Sequence, residues 1–255
     1  MAAIYARPMP PPLPPTLPAT YDATRLDLHR VAVHVLARRR VAANGRCGLR
    51  PTPGGFGTPV FGDPDHEEVL RVAGGVLVRE RRTADGMQTT VHPIDGASLA
   101  DLAAFADADL DGALSVGTDT PAPGATGAPL AVDPSAAAVL GGWLDLGARA
   151  IDHVLAALGA AATPTVAQIW PEHFDLGIDL DAGEIRTNLG ASVGDGYSAE
   201  PYVYVGPRTA DRPGDATFWN APFGALLGYG AIAGSADPLA TATEFLHRGV
   251  GLLAS

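Results

Sequence analysis

His173, Asp175 and Ser192 are the residues whose types and spacing could carry a reaction. An imidazole beside a carboxylate can move a proton near neutral pH, and a hydroxyl within its reach can become a nucleophile. Trp170, Asn188, Tyr202, Tyr204 and Trp219 are of the kind that line a ligand wall, since rings supply contact area and amides fix orientation. Nine of the sixteen aromatic residues fall between Trp170 and Tyr229, together with Glu172, Asp195, Glu200 and Asn220. This stretch is where a site is expected.

Shorter motifs weigh less. Gly190-Ala-Ser192-Val-Gly194 matches the G-x-S-x-G pattern of hydrolase nucleophiles, which needs a strand, a sharp turn and then a helix. Asp195-Gly196 and Pro201 follow instead and read as turn and strand, so only a differently built Ser192–His173–Asp175 arrangement stays open. Asp107-Ala-Asp109-Leu-Asp111-Gly112 has the first half of a calcium loop, but Thr118 stands where the bidentate glutamate belongs, which favours a solvated acidic helix end. His173 and Asp175 could give two metal ligands; no spacing supplies a third, and no metal or cofactor is expected. Cys47, the single cysteine, allows no intramolecular disulfide and reads as strand filler. Gly54 to Pro59 reads as a glycine-rich turn with Phe56 as a core plug.

These residues need elements to position them. From His173 to Leu180 the chain alternates with period two, which sends Phe174, Leu176, Ile178 and Leu180 one way and His173, Asp175, Gly177 and Asp179 the other. A turn at Ala182-Gly183 sets Asp181 opposite Glu184, Asp179 opposite Arg186, Gly177 opposite Asn188 and His173 opposite Ser192. One sheet face then gathers His173, Asp175, Asp179, Arg186 and Asn188. A solvated face and a site wall are both compatible with that pattern.

Around this segment the pattern predicts an α+β fold: antiparallel sheet structure with about four helices, in two helix–strands–helix halves packed as one unit. Residues 1–20 form a proline-rich tail, 21–116 a first half, 117–133 a linker and 134–255 a second half carrying the aromatic segment. The helices run from Asp22, as a cap, to about Ala42; from Ser98 to about Ala108; from Asp133-Pro134 to Leu158; and from Asp237-Pro238 onward. Leu28, Val31, Ala32, Val35 and Leu36 share a face of the first, with Arg38, Arg39 and Arg40 at its dipole-favoured end. Strands are expected at 46–50, 69–73, 76–81, 87–91, 165–170, 173–180, 184–190 and 201–206, with a hairpin turn at Gly74-Gly75.

Composition excludes whole classes of function. A net charge of −11 argues against a nucleic-acid binder or an anionic membrane surface, which need a basic stripe. All seventeen basic residues are arginine. Without lysine there is no Schiff base, no lysine general base and no phosphate-binding P-loop lysine. No segment approaches the roughly 18 apolar residues of a membrane span, and the Pro-Met-Pro-Pro-Pro run stands where an apolar signal core would be. The expectation is a soluble, cytoplasmic protein whose partner is a small molecule, a cation or another protein.

The strings Gly-Gly-Phe-Gly-Thr-Pro (54–59), Trp-Pro-Glu-His-Phe-Asp (170–175), Gly-Ala-Ser-x-Gly-Asp (190–195) and Glu-Pro-Tyr-x-Tyr-Val-Gly-Pro (200–207) resemble those of an uncharacterised protein family of GC-rich bacteria. That resemblance brings no activity, cofactor or site residue with it. The residues themselves leave three readings: a binding protein for a small polar molecule, a hydrolase using Ser192 with His173 or His173 with a carboxylate, and an interaction protein whose rings are core. Whether the chain is an enzyme, and its oligomeric state, stay open at this level.

Overall fold

A computed structural model describes residues 12–118, 120–182, 185–210 and 212–254. The fold is α+β, with two five-stranded antiparallel sheets and helices packed on them. It divides into two units: Leu17–Gly142 with Ile169–Phe174, and Leu13–Thr16 with Trp143–Gln168 and the chain from Asp175 onward. The division runs through the long helix, so residues 117–133 fall inside the first unit. Most of the expected proline tail, residues 1–11, lies outside the described residues. Within the second unit the Pro14 carbonyl accepts a hydrogen bond from the Tyr229 hydroxyl.

The first unit opens with α1 (Tyr21–Val31), a π-helical stretch Ala32–Ala37, and α2 (Arg38–Asn44). Residues 31 to 37 are buried on every side, not only along the expected stripe. Asp22 does not cap α1; it sits inside the first turn and pairs with Arg25. The three arginines expected at the helix's dipole-favoured end also bond through their side chains. Arg38 donates to the Asp109 and Gly112 carbonyls, Arg39 to Glu68, and buried Arg40 to the Gly48 carbonyl.

The first sheet runs in sequence order: β1 (Arg50–Thr52), β2 (Gly55–Gly57), β3 (Glu68–Ala73), β4 (Val76–Thr83) and β5 (Gly86–Pro93). The expected strand at 46–50 begins only at Arg50, and the expected glycine-rich turn contains β2. Phe56 is fully buried there, opposite Val72, because a side chain at Gly55 or Gly57 would strike β3. Gly74 and Gly75 both have positive φ, as the two-residue hairpin between β3 and β4 demands. Helix α3 (Leu99–Phe105) packs nearby and starts with a complete capping box, in which Ser98 and Asp101 each accept from the other's backbone amide. It ends at Phe105, three residues short of expectation.

The second unit contains the larger part of α4 (Pro134–Leu158), then β7 (Asp175–Ala182), β8 (Ile185–Ser192), β9 (Tyr202–Pro207), β10 (Ala225–Gly228), α5 (Tyr229–Ala233) and α6 (Pro238–Leu253). Its strands pair in the order β10-β9-β8-β7, and β6 is the short strand Gln168–Trp170. Neither β10 nor α5 was expected. Leu176, Ile178, Leu180, Leu189, Ala191, Val203 and Val205 form the buried face. α4 lies close on it, since a Cβ on Gly147 would fall 2.4 Å from the Ala191 Cβ; Gly249 of α6 meets Val205 in the same way. Buried Trp143 donates its indole N–H to the Ser192 carbonyl at 2.8 Å.

The β7–β8 hairpin corrects the expected register by two residues. Asp175 pairs with Ser192, Gly177 with Gly190, Asp179 with Asn188 and Asp181 with Arg186. The expected register set Asp181 against Glu184, two like charges, whereas the observed one gives Asp181 a 2.9 Å ion pair with Arg186. A shift of two preserves which side chains face the core, so the apolar pattern could not tell the two registers apart. Asp179 pairs with Arg208 instead.

Candidate ligand site on the second sheet

The face of the second sheet opposite its helices carries Asp175, Gly177 and Asp179 on β7, Asn188, Gly190 and Ser192 on β8, and Tyr202, Tyr204 and Gly206 on β9. Three glycines leave a shallow floor. Tyr204 lies across β8, for a Cβ on Gly190 would sit 2.3 Å from its phenol carbon Cζ, and one on Gly177 would sit 3.0 Å from its hydroxyl. Asn188 leans over Gly206 in the same manner. The small residues are what let a ring and an amide lie flat on this sheet.

Two tyrosine–carboxylate pairs result. The Tyr204 hydroxyl donates to Asp175 Oδ2, and the Tyr202 hydroxyl donates to Asp195 Oδ2. Asp195 also organises its own loop, accepting the Tyr197 and Ser198 amides at 2.8 and 3.0 Å. Ser192 Oγ donates to Asp195 at 3.4 Å and accepts the Gly194 amide at 3.1 Å. Phe223 closes the group, stacked on Tyr202 at 6.1 Å and edge-on to Tyr197 and Tyr204 at 5.2 and 6.4 Å. Tyr197 stands at the outside, 52% exposed.

Burial and the neighbouring carboxylates push both tyrosine pKa values upward. Both phenols therefore stay protonated and act as hydrogen-bond donors, not bases. The cluster offers carboxylate oxygens, an amide, a serine hydroxyl and ring faces. That set suits recognition of a polar molecule better than bond breaking.

The residues expected from the sequence divide between the units. Asp175, Asn188, Ser192, Tyr202 and Tyr204 share the face just described. Trp219 is on the α6 side: it packs edge-on against Phe218, lies under Arg212, and donates to the Pro213 carbonyl, while Phe218 packs at a tilt against Phe245 of α6. Trp170 and His173 belong to the first unit. His173 is exposed in a turn over 171–174, not in the strand, which starts at Asp175. The reason lies at Phe174, whose φ of +55° breaks the pleat; its ring is buried against Phe56 and His29. The expected emergence of His173 and Asp175 from one strand face does not form, and Ser192 pairs with Asp175 instead of His173.

Asp195 and Phe223 are the participants whose roles the sequence reading missed. Asp195-Gly196 reads as a turn, which it is, and nothing local tells that its carboxylate also meets Tyr202. Among the described residues no group of three or more His, Cys, Asp or Glu could hold a metal ion. In the calcium-like stretch, Asp107 accepts from Arg79 and Asp109 from the Asp111 amide. No described helix is long and apolar enough to cross a membrane.

Comparison with protein-family models, curated proteins and solved structures gave no match.

Proposed function

We propose that this protein binds a small polar molecule on the second sheet, with Asp175, Asn188, Tyr202 and Tyr204 as polar contacts and Phe223 and Tyr197 as ring contacts. The observation that carries this reading is the Tyr204–Asp175 pair lying over Gly190 beneath Phe223. Glycines at 177, 190 and 206 open room on a sheet face, and that room is filled by donors and acceptors where water-facing strands usually carry simple charged chains. The hydrolase alternative has less support. Ser192 is 1% exposed, and among the described residues its hydroxyl is engaged by the Asp195 carboxylate and the Gly194 amide.

A thermal-shift screen with sugars, polyols, amines and amino acids tests the binding reading. The expected result is a concentration-dependent rise in Tm for one class, lost in Tyr204→Phe and in Asp175→Asn. A screen in which no class raises Tm, or a shift that both variants retain, would sink it. Labelling of Ser192 by a serine-reactive phosphonate would replace it with the hydrolytic reading.

A further inference from the structure

Where β3 begins and β4 ends, the first unit carries a cleft of about 320 Å³, lined by Arg39, His66, Glu67, Glu68, Arg81 and Arg82 among others. We infer that this cleft binds a small oxyanion, a carboxylate or a phosphate group, through the guanidinium groups of Arg39, Arg81 and Arg82. The chain as a whole carries a net charge of −11, so three arginines lining one concavity run against its general character. Guanidinium forks match the oxygen geometry of carboxylate and phosphate and engage them in bidentate fashion.

The arginines are held before any ligand arrives. Arg39 lies over the Phe61 ring at 5.6 Å, with Nη2 2.8 Å from Glu68 Oε2. Glu68 is buried and also accepts from Arg79 Nε at 3.1 Å, so this one carboxylate anchors two guanidiniums. Arg82 Nε donates to Glu67 Oε2 at 2.9 Å. Both cleft carboxylates are thereby neutralised by arginine, which removes most of their repulsion toward an entering anion.

Donors remain for that anion. Among the described residues, the bonds of Arg39 use Nε and Nη2, and the bond of Arg82 uses Nε alone. Arg81 makes a single long contact, Nη1 to Asp107 Oδ2 at 3.5 Å, and its side chain is 45% exposed. Each guanidinium has five N–H donors, so all three can still donate into the cleft. Asp107, which faces Arg81 and Arg79, adopts a left-handed backbone with φ +52°. Arg81 also lines a second concavity with Arg79, Gln88, Thr90 and Phe105, so a longer anionic ligand could span both.

Isothermal titration of the full chain with inorganic phosphate and, separately, with succinate at low ionic strength tests this. The expected result is saturable binding of at least one probe, weakened at least about tenfold in Arg81→Gln and in Arg82→Gln. Arg186→Gln, whose arginine pairs with Asp181 on the other sheet, should bind as the unaltered chain does. Phosphate alone saturating assigns a phosphate-bearing ligand, succinate alone a carboxylate, and both the shared oxyanion chemistry. Melting curves without ligand should stay within a few degrees across all three variants, because each altered side chain is partly exposed and surface ion pairs of this kind contribute little. Absence of saturable binding by either probe overturns the inference. So does binding that survives both cleft substitutions, or a loss as large in Arg186→Gln.

Discussion

The Tyr204 hydroxyl reaches Asp175 from two strands away, and Gly190, on the strand between, is the residue that lets the ring lie flat along that path. A buried phenol bonded to a carboxylate costs more to break than a neutral hydrogen bond, because the acceptor charge is left without its donor. Tyr204→Phe should lower unfolding stability by about 1–3 kcal/mol. Urea denaturation of the two proteins measures this; equal midpoints would show that the bond contributes nothing.

The same burial has an alkaline consequence. Tyr202 and Tyr204 keep their protons in the folded state well past the point where an unfolded tyrosine ionises, and Tyr229 is pushed up to about 12 by burial. Their contribution is complete below about pH 10 and is lost as pH rises above it, since the unfolded chain then releases protons that the folded chain retains. Stability measured from pH 9 to 11 should fall, and fall less steeply in Tyr204→Phe. Identical slopes would contradict the assignment.

Gly190→Ala should be strongly unfavourable and Gly196→Ala close to neutral. A methyl at 190 meets Tyr204 at 2.3 Å and the Leu176 carbonyl at 2.4 Å, while one at 196 meets nothing within 4 Å. Overpacking of this kind costs about 1–3 kcal/mol or more, against changes within about 0.5 kcal/mol for an open surface position. Thermal melts of the pair decide it, and a Gly190→Ala protein as stable as Gly196→Ala would remove the close approach.

His29 gives the first unit an acid limit. Its imidazole, half-buried and stacked on Phe174, has its pKa lowered to about 4 chiefly by desolvation. Nε2 lies 2.7 Å from the Pro171 carbonyl, so the neutral ring must carry its proton there. The folded pKa lies below the unfolded one, so the neutral ring's contribution is present above about pH 6.5 and is lost as pH falls toward 4. A loss of about 3 kcal/mol over that window is the upper expectation. His29→Gln, which keeps a donor but does not titrate, should flatten the stability profile between pH 6.5 and 4; an unchanged profile would show another group responsible.

The capping box of α3 supplies a local check. Ser98 accepts the Asp101 amide at 3.1 Å and Asp101 accepts the Ser98 amide at 2.9 Å. Ser98→Ala should cost about 1 kcal/mol, read from chemical denaturation, and retention of full stability would mean the helix start is held elsewhere.

Three of the four expected helix starts were legible because their chemistry is local. Ser98, Asp133 and Asp237 each precede a helix and each accepts a first-turn amide, so a residue and its next three neighbours carry the whole signal. The α+β class was legible for a related reason: period two and period 3.6 are written along the chain itself. The short elements were not. β2 is three residues long and mostly glycine, and it is a strand only because β3 lies beside it.

The site divides along the same line. The sequence by itself determined that rings and carboxylates crowd into residues 170–229, that no lysine chemistry exists, and which side of β7 faces the core. Only the tertiary structure decided which polar residues meet. Two registers of the β7–β8 hairpin satisfy the same apolar pattern, and the observed one sets Asp181 against Arg186 and Asp175 against Ser192. Phe174 leaves the pleat because a core of Phe56 and His29 accepts its ring, and that departure keeps His173 out of the strand. Backbone periodicity is short-ranged, whereas partner choice is settled by contacts between segments far apart in the chain.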